Sequence, residues 1–245
     1  MGRKVVIAAV AVPAGLALLL GAEVLLAVNG PRLPQRDPLE LSGLVGVASS
    51  VEPLRMAWVG DSVVAGVGAS GPEATVPHLV ATGLRRPVRL DVFAVSGERV
   101  AGAISDLVPR LERLAQPPQV VVVEIGANDV THLTGLDEFR AAYDELMARV
   151  AAVGAEHVFA LGIPAFHTTP RFLQPLRAIV GWRARRIDEQ VRESAHAFDA
   201  TYVNISGETG DVFGAEPDRY YASDDFHPSD AGYELWAAAV LQALE

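Results

Sequence analysis

One serine and one histidine define the chemistry to look for. Ser62 follows Gly60-Asp61 at the end of an apolar run, and His227 lies near the C-terminus in Asp224-Asp225-Phe226-His227-Pro228. A serine hydroxyl is a weak nucleophile until a base takes its proton, and imidazole titrates in the right range to do so. Asp224, three residues before His227, can reach the other ring nitrogen, fix the tautomer and stabilise the imidazolium. Asp225 is the adjacent alternative, and the spacing favours Asp224. A serine so activated attacks an acyl carbonyl, and the tetrahedral intermediate needs donors aimed at its oxyanion. The backbone N–H of Ser62, the backbone N–H of Gly97 and the side-chain amide of Asn128 are the candidates. Gly97 suits the role because a residue without Cβ lets the backbone approach closely.

Taken singly, each residue has a plainer explanation. A serine after glycine caps helices, Asn128-Asp129 is turn chemistry, and a lone histidine is usually inert. Their placement argues otherwise. From residue 54 onward, β-branched and aromatic runs at 55–60, 88–95, 119–125, 157–163 and 201–205 alternate with helical patterns near 77–85, 100–115, 136–153, 175–197 and 230–244. The run Val120-Val121-Val122-Val123 is apolar on both faces, as the middle of a parallel sheet covered by helices requires. The alternation predicts an α/β fold: a flavodoxin-like three-layer α/β/α sandwich on a five-stranded parallel sheet. In such sheets ligands sit beyond the carboxyl ends of the strands. Ser62, Gly97 and Asn128 follow the first, second and third strands, and Asp224 and His227 fall between the last strand and the last helix.

In these four blocks the chain resembles the SGNH hydrolases, also called GDSL esterases and lipases, whose blocks supply Ser, Gly, Asn and His in that order. The matches are Gly60-Asp61-Ser62, Gly97, Gly126-Ala127-Asn128-Asp129 and Asp224-x-x-His227-Pro228, so the resemblance covers about residue 54 to the C-terminus. Val63 stands where the family's other name expects Leu. The resemblance implies hydrolysis of acyl or O-acetyl esters through an acyl-enzyme, with Ser62, His227 and Asp224 as the triad and no metal or organic cofactor. Asp61 and Asp129 are expected to be structural, bonding loop backbone or capping a helix. The rival of another class is a membrane-tethered binding protein of the same fold that has lost activity. Such a loss shows as a missing nucleophile, base or amide donor, and none is missing.

Outside the resemblance, Arg3 and Lys4 precede an uncharged run from Val5 to Ala22, and after Glu23 the apolar character continues to Val28. At about 1.5 Å per residue the run nearly spans a hydrocarbon core of about 30 Å. Residues 1–28 are therefore expected to anchor the chain in a membrane, with cleavage as a signal peptide and burial as a core helix as the alternatives. The basic N-terminus predicts that the rest lies on the extracytoplasmic side, and cleavage would make it a secreted protein. Residues 29–53, with Pro31, Pro34, Pro38 and Pro53, are expected to be a linker to a hydrolase domain at 54–245.

Several functions are disfavoured. A net charge of −10 and 20 basic against 30 acidic side chains leave no electrostatic footprint for nucleic acid. Arg183, Arg185 and Arg186 share a helical stretch with Asp188, Glu189 and Glu193, which reads as a solvated face. The absence of cysteine excludes thiolate metal sites and a cysteine nucleophile. Gly66-x-Gly68-x-x-Gly71 fits a dinucleotide fingerprint but starts well after the strand and runs into Pro72. A Gly-x-Ser-x-Gly elbow needs glycine where Val64 stands. The remaining histidines lack metal spacing. His167, in the loop after the fourth strand, is a candidate pocket residue, and residues 162–175 and 213–221 are expected to shape the pocket.

Overall fold

The computed structural model describes residues 2–46 and 51–245, without the side chains of residues 2–14. In chain order the elements are α1 Gly2–Val28, β1 Gly43–Val45, β2 Leu54–Gly60, α2 Val76–Gly83, β3 Val88–Ala94, α3 Val100–Gly102 continued by a π-helical stretch Ala103–Leu107 and by α4 Val108–Glu112, β4 Val120–Glu124, α5 Ala127–Thr131, α6 Leu136–Ala152, β5 His157–Leu161, α7 Leu176–Ala197, β6 Thr201–Val203, α8 Ile205–Ala215, α9 Pro217–Tyr220 and α10 Asp230–Leu244.

The sheet has six strands in the order β1-β3-β2-β4-β5-β6. All five expected strands are present and pair in parallel. The sixth, β1, corrects the count: it adds antiparallel to β3, with Leu44 opposite Arg89. This edge strand was not legible because it is only three residues long, opens on a glycine and is followed by another. It lies within the stretch read as linker, and that stretch touches the domain before it. Arg36 donates to the carbonyl of Ala69, His78 Nε2 lies 3.0 Å from the carbonyl of Leu41, and Val92 N–H donates to Ser42 Oγ.

Alternation along the strands sorts the side chains into two cores. Ala57, Val59, Val121 and Val123 face α3 to α7, while Met56, Trp58, Val120 and Val122 face α2, α8 and α10. With both faces covered, β4 is buried along its whole length, as its unbroken apolar run requires. The sheet reverses its winding between β2 and β4, so the crevice at their carboxyl ends is the fold's natural ligand position.

α8 was not anticipated from sequence. Its glycines at 207, 210 and 214 have poor helix propensity. Asn204 caps it by accepting from Gly207 N–H at 2.9 Å. Among the residues whose side chains are described, no helix is long and apolar enough to cross a membrane. The proposed span at Val5–Ala22 falls largely on residues whose side chains lie outside that description.

Candidate active site

β2 and β4 approach each other closely where they end. Gly60 lies opposite Glu124, and a Cβ on Gly60 would come 2.4 Å from the Glu124 carbonyl oxygen and 2.3 Å from Val64 Cγ2. Only glycine fits there. The chain then turns sharply, with Ala65 N–H bonding the Asp61 carbonyl and Val67 N–H bonding that of Ser62, which presents Ser62 at the strand end with 7% of its surface exposed.

His227 reaches Ser62 from the loop between α9 and α10. Its Nε2 lies 3.0 Å from Ser62 Oγ, and its Nδ1 lies 2.6 Å from Asp224 Oδ2. The other Asp224 oxygen accepts from the N–H groups of Phe226 and His227 at 3.2 and 3.1 Å. Burial alone pushes the Asp224 carboxyl up. The hydrogen bond and charge of His227, with the two backbone donors, outweigh it and hold Asp224 below its ordinary value. Asp225 takes a left-handed backbone conformation, φ 60°, in the turn closed by its N–H to the Ala222 carbonyl. Gly68 of the dinucleotide-like pattern is explained by this loop, since a Cβ there would meet the Pro228 carbonyl oxygen at 2.3 Å.

Asn128 opens α5 beyond β4. Its Nδ2 donates to Asp61 Oδ2 and to the Glu98 carbonyl, both at 2.9 Å, so both amide hydrogens have acceptors. Ser62 N–H and Gly97 N–H have none among the described residues. Gly97 is also required by its own backbone. A Cβ there would touch nothing within 4 Å, but its φ of +82° disfavours any side chain.

Asp61 and Asp129 hold this architecture. Asp61 Oδ1 accepts from Val63 N–H at 3.1 Å; Asp129 accepts from Val100 N–H at 3.1 Å and from the Thr134 hydroxyl at 2.8 Å. Beneath Asp61 lies Glu124, which sequence reasoning passed over because it closes an otherwise apolar strand. Both carboxyls are buried, and desolvation raises both, Asp61 to about 6 and Glu124 well above its ordinary value, where the neighbouring Asp61 charge raises it further. Glu124 Oε2 has no protein donor among the described residues. Burial and the neighbouring Asp61 both disfavour a second charge at Glu124.

The pocket over Ser62 is walled by Phe166, Phe213, Tyr221, Phe226 and Trp236, with Asn128 at its edge and a cavity of about 40 Å³. Residues of the two expected loop regions line it, joined by Thr209 and Gly210 of the unanticipated α8. His167 is not among the lining residues and sits exposed against Gly181 of α7. The reading of Arg183 as a solvated face is corrected. It reaches from α7 to the carbonyls of Asp129, Val130 and Thr134, and so holds the end of α5. Asp188 likewise turns inward and accepts from Ile163 N–H and the Tyr202 hydroxyl, both at 2.8 Å. Arg185 and Arg186 are exposed, as read.

The GDSL-like Lipase/Acylhydrolase family model matches residues 58–235. The chain belongs to the GDSL-like lipase/acylhydrolase, or SGNH hydrolase, family. Within that family it is 28% identical over 190 residues to a GDSL-like esterase of Mycobacterium tuberculosis (strain ATCC 25618 / H37Rv), covering 76% of this chain and 60% of that relative's length. The fold is shared with the psychrotrophic esterase EstA from Pseudoalteromonas sp. (TM-score 0.61, 19% identity, 78% of this chain and 96% of that one). It is also shared with the acetylxylan esterase Axe2 from Geobacillus stearothermophilus (TM-score 0.55, 20% identity, 78% and 94%). For this SGNH hydrolase the four sequence blocks meet at one crevice, as the resemblance implied.

Proposed function

We propose that this chain is a carboxylic ester hydrolase working through an acyl-enzyme. The observation that carries the reading is the unbroken relay from Ser62 Oγ through the His227 ring to Asp224, at 3.0 and 2.6 Å. His227 takes the Ser62 proton as Oγ attacks the ester carbonyl, and Asp224 stabilises the imidazolium. The oxyanion is met by Ser62 N–H and Gly97 N–H and by Asn128 Nδ2, whose bond to the Glu98 carbonyl is the one it shares or exchanges. As the C–O bond breaks, His227 gives its proton to the leaving alcohol. It then deprotonates a water that attacks the acyl carbon, and Ser62 leaves with the proton.

A cavity of about 40 Å³ holds roughly three waters. We read it as an acyl pocket for short chains such as acetyl to butyryl, with the alcohol portion outside. Residues 1–28 are read as a membrane anchor that places the hydrolase domain on the extracytoplasmic side, with substrates that are small-molecule, lipid or glycan esters.

The test is Ser62→Ala in the full chain, assayed on p-nitrophenyl acetate and butyrate. Loss of turnover to background is expected, and undiminished turnover overturns the assignment. A panel from acetyl to decanoyl esters should show kcat/KM falling beyond butyryl; a rise toward decanoyl would overturn the short-chain reading.

A further inference from the structure

We infer that the hydrolase domain is seated directly on the lipid surface, with the first half of α7 and the turns beside it facing the bilayer; the inference rests on the membrane-anchor reading above. It begins with an asymmetry in α1. Leu18, Leu25, Leu26 and Val28 are 77%, 65%, 59% and 61% exposed, whereas Glu23, the only charge among them, is 4% exposed. The helix turns apolar side chains outward and puts its carboxylate into protein. Glu23 Oε2 accepts from Leu176 N–H at 2.8 Å, at the amino end of α7, where unpaired N–H groups and the helix dipole favour an anion. This removes the main objection to an apolar span, because the charge has a protein partner.

A second bond system fixes the end of α1. Arg171 Nε donates to the Ala27 carbonyl at 2.6 Å, and its other nitrogen donates to the Pro31 carbonyl and, at 2.9 Å, to that of Asp224. The stem is thus held at two points, one of them on the loop that carries Asp224. Two attachments about a turn apart hold the orientation of the domain against the helix, which a flexible linker would leave free.

With α1 apolar out to Val28, the lipid boundary falls beside the start of α7. Four large apolar side chains are exposed around that point: Leu133 at 73%, Leu173 at 48%, Ile179 at 46% and Trp182 at 55%. Ile179, Trp182 and Arg183 share one face of α7 by their helical spacing. Arg183 Nε reaches the Val130 carbonyl at 3.0 Å, which brings the turn holding Leu133 alongside. The Leu173 carbonyl accepts from Arg177 N–H at 2.7 Å in the first turn of α7. Tryptophan concentrates at the membrane interface, and the exposed Arg185 follows it, placed for anionic headgroups, with Arg186 beside it paired to Glu189 at 2.8 Å. The same turns run back into the pocket, one through Asn128 and the other through Phe166 and Thr169. An ester dissolved in the lipid surface reaches Ser62 without crossing bulk water.

Trp182 reports on the seating, since the other two tryptophans, Trp58 and Trp236, are buried. The full chain is reconstituted into vesicles of phosphatidylcholine and phosphatidylglycerol with brominated acyl chains. Seating predicts a bromine-quenched component of the emission that disappears in Trp182→Phe, the buried Trp58 and Trp236 supplying the blue-shifted, unquenched remainder. Unquenched, water-exposed Trp182 emission from protein that floats with the vesicles overturns the seating and leaves the anchor standing. Protein that stays in the aqueous fraction overturns the anchor, and the seating with it. In parallel, the triple variant Leu133→Ser, Leu173→Ser, Ile179→Ser should lose about tenfold on tributyrin dispersed in vesicles, equivalent to ~1.4 kcal/mol, while keeping its rate on dissolved p-nitrophenyl acetate. Equal retention on both substrates overturns the seating.

Discussion

Two aspartates flank Ser62 and live under opposite rules. Asp224 sits behind His227 with a cationic partner to come and two backbone donors, and is held below its ordinary value. Asp61, one residue from Ser62, is buried over a second carboxyl and pushed up to about 6. The same side chain is tuned by hydrogen bonding and charge in one place and by desolvation in the other. In the mechanism we propose, the difference separates two tasks: Asp224 supplies the charge that stabilises the imidazolium, whereas Asp61 supplies acceptor oxygens that orient the Ser62 turn and the Asn128 amide.

The largest expected break comes from Asp224→Asn, which should lower kcat by about 10⁴ by leaving His227 in the wrong tautomer. Steady-state kinetics on a soluble acetyl ester checks it, and a loss under tenfold would dissolve the contrast. Next is Asn128→Ala, expected to lower kcat by about 10²–10³ with little change in KM. Asp61→Asn has one acceptor oxygen where Asp61 uses one for Val63 N–H and the other for Asn128 Nδ2, so one of these bonds is lost and kcat should fall about 10- to 100-fold, the cost of one unsatisfied buried donor. A fall as large as that of Asp224→Asn would mean that Asp61 acts in the chemistry.

The pH dependence of stability sharpens the same comparison. Asp224 is depressed in the folded state, so its contribution is present above the ordinary carboxylate range and is lost as pH falls through its lowered value. Asp61 is raised from 3.8 to about 6, so its contribution is present below that window and is lost as pH rises through it. Urea midpoints should therefore show Asp61→Asn gaining on the parent chain between those pH values and Asp224→Asn gaining only at the acid end. The smallest effect belongs to Glu124→Gln. A neutral amide replaces an acid whose ionisation burial and the Asp61 charge both disfavour, so kcat should stay within about twofold. Its stability should exceed that of the parent on the alkaline side, where the parent must ionise a second buried carboxyl.

Much of this was legible because it is local. Four strand-end blocks have turn and cap chemistry written in their own residues, and the unbroken valines of β4 require a doubly covered sheet. What escaped depends on distant partners. β1 is three residues held by its pairing with β3 and by Val45 against the core, and α8 is a glycine-rich helix held by its cap and by packing over the pocket. Arg183 looks like one charge in a solvated row until the end of α5 is placed against it. Glu124 looks like a strand terminus until Asp61 is folded over it. His167 had the right loop but the wrong side of it.

By itself, the sequence determined the fold class, the order of the parallel strands along the chain, and the identity of the serine, histidine and aspartate that meet. Each follows from periodicity or from chemistry within a few residues. Only the tertiary structure decided that Asn128 is oriented by Asp61, that a buried acid lies below both, and that Arg171 ties the end of α1 to the Asp224 loop. Those relations join residues far apart in the chain, and their energies depend on burial and on partners that exist only once the sheet has closed.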